Sequence, residues 1–288
     1  MSKRLGVFPE KRRPIPGRIH DVFTSHGRIV LAETEGAGPP LLLMHGNSFC
    51  KESFGPQFEF LEGRRRLIAI DLPGHGQSQD AIDPRRTYSL PGYADCAFEV
   101  LDRIGVERAA VLGWSLGGHI ALEMTARPSA LCGVMTIGSP PFVSGPDGLQ
   151  GFLPNPKLAL AGASAMTEAE IDEYIALVSG FEAPPDPFWR AAVVRADGRA
   201  RAYLFESLSK QDARRQRDLA ERCPVPLAMV NGGADPFVDV AYVATVNYRN
   251  LWSGRTYVLT GVGHAPHIHA PERFNRLLER FLETVCRT

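Results

Sequence analysis

The chain has 288 residues, and 32 lysines plus arginines balance 32 aspartates plus glutamates, which excludes the basic footprint of a general nucleic-acid binder. Hydrophobic residues at 44% against 22% charged exclude intrinsic disorder, and the length admits one large α/β domain or one domain with an insertion. The five cysteines (Cys50, Cys96, Cys132, Cys223, Cys286) form no CxxC pair, which excludes a zinc ribbon and leaves no disulfide framework.

Residues 1–18 form a basic leader carrying Lys3, Arg4, Lys11, Arg12, Arg13 and Arg18, expected to be solvated. No apolar stretch follows these charges, so the segment does not read as a secretory signal, and no run is long enough to span a membrane. The expectation is a soluble, cytoplasmic protein with no membrane or nucleic-acid partner. Ile19–Thr24 and Arg28–Glu33 flank Ser25-His26-Gly27 and predict a β-hairpin. Six apolar runs follow, each bounded by turn residues: Leu41–Met44, Leu67–Ile70, Ala109–Leu112, Val134–Ile137, Leu227–Val230 and Tyr257–Leu259. None alternates polar with apolar, which is how strands buried on both faces of a parallel sheet read.

Helical patterns lie between these runs. Tyr93, Ala97, Leu101 and Ile104 share a stripe after Pro91, and Phe274, Leu277, Leu278, Phe281, Leu282 and Val285 share another after Pro271. The strand–helix rhythm runs through a first core segment, 19–139, and returns in a second, 223–288. Between them, 140–222 offers no convincing buried strand. Thr167 and Glu170 there make a capping box ahead of Ile171, Tyr174, Ile175 and Val178 on one face. The spacing predicts a mostly parallel, doubly wound sheet with a helical cap inserted after the sixth strand.

Gly113-Trp114-Ser115-Leu116-Gly117 is a G-x-S-x-G sequence at the end of the apolar run Ala109–Leu112, with a helical pattern from Gly118 onward. That strand–turn–helix context predicts a strained elbow presenting Ser115 as a nucleophile. A serine hydroxyl needs a base, and the base needs an orienting acid. Asp235, in Asn231-Gly232-Gly233-Ala234-Asp235-Pro236, and His264, in Gly261-Val262-Gly263-His264, each follow a predicted strand and supply acid and base. Asp71 and Asp147 are the alternative acids. The developing oxyanion requires preorganised N–H donors. Candidates are the backbone N–H of Leu116, just after the nucleophile, and that of Asn47 in His45-Gly46-Asn47-Ser48. His264, His267 and His269 lie close enough in sequence to suggest a metal cluster, but no further ligand group accompanies them, and no metal or other cofactor is expected.

From about residue 19 the chain resembles lidded α/β-hydrolases of the esterase/lactonase group. The segments HGNSFCKESFGPQ, DLPGHGQSQDAIDP, YSLPGYAD, GWSLGGHIALEM, DGRAR, VNGGADPFV and GVGHAPHIHAPERF are similar to the metal-independent N-acyl-homoserine lactonases that degrade quorum-sensing signals. The resemblance implies the α/β-hydrolase fold and a cap tyrosine touching substrate, here Tyr174. It also implies a glutamate as acid just before Pro-Phe-Val, where this chain has Asp235, one methylene shorter. Asn47 and Trp114 join Tyr174 as substrate-contact candidates. The expected function is opening of the lactone ring through a Ser115–His264–Asp235 triad and an acyl-enzyme. The cap residues Phe142, Leu149, Phe152, Met166, Phe181, Phe188 and Trp189 offer apolar surface for an acyl chain. A general carboxylesterase, a carbon–carbon bond hydrolase on the same triad, and a non-catalytic lactone receptor are the alternatives.

Overall fold

The computed structural model describes residues 15–145, 148–180, 185–209 and 216–286. Eight strands form one sheet in the order β1-β2-β4-β3-β5-β6-β9-β10. They are β1 (Arg18–Thr24), β2 (Gly27–Glu33), β3 (Leu41–Met44), β4 (Leu67–Ile70), β5 (Ala109–Trp114), β6 (Leu131–Ile137), β9 (Leu227–Gly232) and β10 (Tyr257–Leu259). The pair β1–β2 is an antiparallel hairpin, and β2 joins β4 antiparallel; every other pairing is parallel.

The central strands are buried along their whole length because each of their faces feeds a separate apolar layer. In β3, Leu42 and Met44 enter one layer, while Leu41 and Leu43 enter the other. The helix Leu90–Arg103 covers the first side, with Ser89 accepting from Gly92 N–H at its N-cap and Pro91 in its first turn. The helix Pro271–Val285 covers the second with Phe274, Leu278 and Phe281. The apolar stripes set these faces, and the same pattern leaves the opposite sides polar.

Between β6 and β9 the chain leaves the sheet. It forms a 3-10 segment (Pro156–Gly162) and helices Glu168–Ser179, Pro187–Arg195, Gly198–Ser209 and Gln216–Arg222. The Thr167–Glu170 capping box is formed in both directions. No buried strand was expected in this stretch; it opens with a small antiparallel hairpin, β7 (Val143–Gly145) with β8 (Gly148–Gln150). Strands of three residues carry too little periodicity to be seen. At the other end of the chain, residues 1–14 of the basic leader lie outside the described residues; Ile15 is buried, and Arg18 already belongs to β1. Among the described residues no helix is long and apolar enough to cross a membrane.

Candidate active site

Strand β5 ends at Trp114 and the helix Leu116–Met124 starts at Leu116, so a single residue makes the turn. Ser115 occupies it with φ 53° and ψ −115°, a conformation costly for any residue with a side chain. The flanking glycines are required by contact. A Cβ on Gly113 meets the Gly117 carbonyl oxygen at 2.1 Å, and one on Gly117 meets the Met44 carbonyl oxygen at 2.0 Å. The elbow therefore sits hard against the end of β3, where the His45–Ser48 loop begins.

His264 and Asp235 project from the loops after β10 and β9. The His264 Nδ1–H donates to Asp235 Oδ2 at 2.7 Å, with both side chains buried. Asp235 Oδ1 accepts from Phe237 N–H at 2.9 Å and Val238 N–H at 3.2 Å. One carboxylate oxygen is thus anchored by backbone while the other orients the imidazole, leaving Nε2 toward the cavity that Ser115 and His264 both line. Ser115 Oγ makes no hydrogen bond among the described residues.

The N–H groups of Asn47 and Leu116 have no acceptor among the described residues. Leu116 is free because the first N–H groups of a helix have no intrahelical partner. The Asn47 loop is braced from below and above. His45 donates from Nδ1 to Gly46 O at 2.8 Å and accepts from Leu72 N–H at Nε2 at 3.0 Å. Burial lowers the His45 pKa to about 4, so the neutral ring that makes both bonds persists. From the cap, Ala161 O accepts from Asn47 Nδ2 at 2.8 Å, and the Tyr174 hydroxyl donates to Asn47 O at 2.9 Å. Arg201 donates to Ser48 Oγ at 3.1 Å and to Ala163 O at 2.6 Å.

The cavity between sheet and cap is mostly apolar, with Phe142, Leu149, Phe152, Leu158, Leu204 and Phe237 on its walls. Asn47, Leu116 and Tyr174 line it as well. The Asn47 side-chain amide, however, is held by the cap backbone, and the one proton of Tyr174 is given to Asn47 O. Trp114 is not a wall residue. It is fully buried, donates from its indole to His264 O at 2.9 Å and packs edge-on to Phe49, so it sits behind His264 and outside the cavity. Of the apolar cap residues expected to receive an acyl chain, Met166, Phe188 and Trp189 belong to the packing beneath the cap, and Phe181 lies outside the described residues.

Asp71 is committed elsewhere. It accepts from Lys51 Nζ at 2.9 Å and from the N–H groups of Lys51 and Gln77, each at 2.8 Å. Burial alone raises a carboxyl's pKa, but the Lys51 ammonium and these donors hold Asp71 below its ordinary value. Asp147 lies outside the described residues. The three clustered histidines diverge: His264 turns to Asp235, His267 is buried against Trp114, and His269 bonds Ser179 O. Among the described residues no group of three or more possible ligands could hold a metal ion.

Sequence reasoning missed His119, Arg201 and Gln216. His119 falls one helical turn after Ser115, at i+4, the one local signal that it faces the same cavity.

The model of the "Alpha/beta hydrolase family" matches residues 41–277. A solved structure of the N-acyl homoserine lactonase AidH, complexed with N-butanoyl homoserine, is similar at 42% identity. Its TM-score is 0.88, covering 94% of this chain and 98% of that one. A second, of an AidH mutant complexed with N-hexanoyl homoserine, gives 43% identity and a TM-score of 0.87, with 94% and 98% coverage. The pimeloyl-[acyl-carrier protein] methyl ester esterase of Aeromonas hydrophila subsp. hydrophila is 28% identical over 265 residues, 88% of this chain and 99% of that protein.

Proposed function

The chain belongs to the alpha/beta hydrolase family, and from that membership we propose that it is a serine hydrolase opening the lactone ring of N-acyl-homoserine lactones. The observation that carries the reading is the convergence of Ser115 and the Asp235-bound His264 on one apolar cavity roofed by the cap. The likeness to AidH across nearly the whole chain supports the lactone as substrate.

In this mechanism His264 Nε2 takes the Ser115 proton as the hydroxyl attacks the ring carbonyl, and Asp235 stabilises the imidazolium that forms. The oxyanion rests on the Asn47 and Leu116 N–H groups, which have no other acceptor among the described residues. His264 then protonates the ring oxygen as it leaves. That alcohol remains tethered to the acyl group, so water, activated by the same histidine, must attack the acyl-enzyme before the ring recloses.

The test is a substrate panel on the purified protein: acyl-homoserine lactones, aliphatic lactones, methyl esters and p-nitrophenyl esters, with and without chelator. Lactones turned over fastest, with activity surviving chelation and vanishing in Ser115→Ala, is the expected result. The similarity to methyl ester esterases favours a second reading, a carboxylesterase. Methyl esters outpacing every lactone would replace the first reading with it.

A further inference from the structure

One polar side chain in the acyl cavity takes no part in the chemistry above. His119 is 9% exposed and lines the cavity. Its ring packs between Phe142, at 5.3 Å between centroids, and Phe152, at 5.7 Å. A reciprocal pair with Gln216 fixes its tautomer. Gln216 Nε2 donates to His119 O at 2.8 Å, which assigns the amide orientation because a carbonyl only accepts. Gln216 Oε1 therefore faces Nδ1 at 2.7 Å, and Nδ1 carries the hydrogen. Burial, reinforced by nearby His264, keeps the ring neutral by lowering its pKa to about 4. Nε2 is thus a bare lone pair. It has no partner among the described residues, and the ring is one of the cavity's walls.

We infer that His119 is a specificity-determining residue of the acyl pocket, its Nε2 accepting a hydrogen bond from a hydroxyl near the amide end of the acyl arm. The inference rests on the ester-hydrolase reading and deepens it: hydroxyacyl substrates are preferred over oxoacyl ones. The geometry sets the position. Ser115 and His119 line the same cavity, and the His119 N–H donates to Ser115 O at 3.0 Å across the first turn of the helix, so a substrate carbonyl at Ser115 brings the start of its acyl arm to His119. The chemistry sets the sign. An acceptor in an apolar cavity gains from a donor and is repelled by a carbonyl oxygen, which offers only lone pairs.

The experiment compares kcat/KM for β-hydroxyacyl, β-oxoacyl and unsubstituted homoserine lactones of equal length. The same three arms are also presented as methyl esters of N-acylglycines, which have no lactone ring. Wild type is expected to favour the hydroxyl over the oxo arm by roughly three- to tenfold, the worth of one neutral hydrogen bond. His119→Phe should keep the fold, by circular dichroism, and level the ratio. Gln216→Leu leaves the ring in place but frees its tautomer, so the oxo arm should gain relative to the hydroxyl arm. An unchanged ratio in folded His119→Phe, or no hydroxyl preference in wild type, overturns the inference. If the glycine esters show the preference while no lactone is hydrolysed, the lactonase reading falls and the role of His119 stands.

Discussion

Asp235 divides its labour between two oxygens, and that division predicts what an amide does in its place. Oδ1 is fixed as an acceptor by two backbone N–H groups. In Asp235→Asn the carbonyl oxygen must occupy that position, which turns the NH2 toward His264 Nδ1. The imidazole then has to accept at Nδ1 and carry its hydrogen on Nε2, where it cannot take the serine proton. The expected cost in kcat is about 10⁴-fold, as in serine-protease triads, with an unchanged circular-dichroism spectrum. Near-normal turnover would remove Asp235 from the triad. At Ser115 the prediction concerns stability as well as rate. The φ of 53° costs a side chain of order 1–3 kcal/mol, and Oγ makes no hydrogen bond whose loss offsets the relief. Ser115→Gly should be inactive yet melt at or above the wild-type temperature, by differential scanning calorimetry. The candidate residues Ser115, Asp235 and His264 were legible because each follows its own strand within a short motif. The environment of His119 was not, since it depends on Gln216, which lies far along the chain in a helix of the cap region.

At the scale of elements, the cap is tied to the oxyanion loop by the bonds of Tyr174, Asn47 and Arg201. The Arg201 guanidinium is buried and spans Ser48 Oγ on the loop and Ala163 O on the cap. Arg201→Met keeps the apolar stem but orphans both acceptors, at about 1–3 kcal/mol each. It should slow lactones and small p-nitrophenyl esters alike, because the donor loop is loosened for every substrate. Tyr174→Phe should do the same by about three- to tenfold, the worth of its bond to Asn47 O. A loss confined to acyl-homoserine lactones would instead make the Tyr174 hydroxyl a direct substrate contact. The central strands were visible in sequence because two-sided burial leaves unbroken apolar runs, and the Glu168–Ser179 helix because its capping box is local, whereas β10, read the same way, lies at the sheet edge with Val258 exposed. The small β7–β8 hairpin and the Ile15 anchor were not, because both owe their order to tertiary packing and not to periodicity.

For the whole molecule, the distribution of its eight histidines sets an acid limit well above the carboxylate range. Burial lowers the pKa of His45 to about 4, of His75 to about 3 and of His119 to about 4, and lowers those of His26 and His267 as well. In the unfolded chain each of these rings takes its proton near 6.5. Below that pH the unfolded state binds more protons than the native one, so stability falls as pH falls. Each ring contributes stability that is fully present above about 6.5 and lost progressively down to its native pKa. Asp71 behaves differently, because its depressed pKa keeps its contribution intact until the pH drops below its ordinary value. Between pH 6.5 and 5.5 the rings of His45, His75 and His119 each cost about 1 kcal/mol, and His267, also lowered far by burial, adds to a sum that is a large part of the stability of a typical domain. His45 shows why the native state cannot escape by accepting the proton: its Nε2 already receives the Leu72 N–H, and a second hydrogen there breaks the brace beneath Asn47. The melting temperature should therefore bend downward just below pH 6.5, with cooperative unfolding near pH 5 at room temperature. Melts followed by near-ultraviolet circular dichroism from pH 8 to pH 4.5 measure this. A plateau holding from pH 8 to pH 5 would mean that these rings are protonated within the fold, and the neutral His119 acceptor would be lost with them.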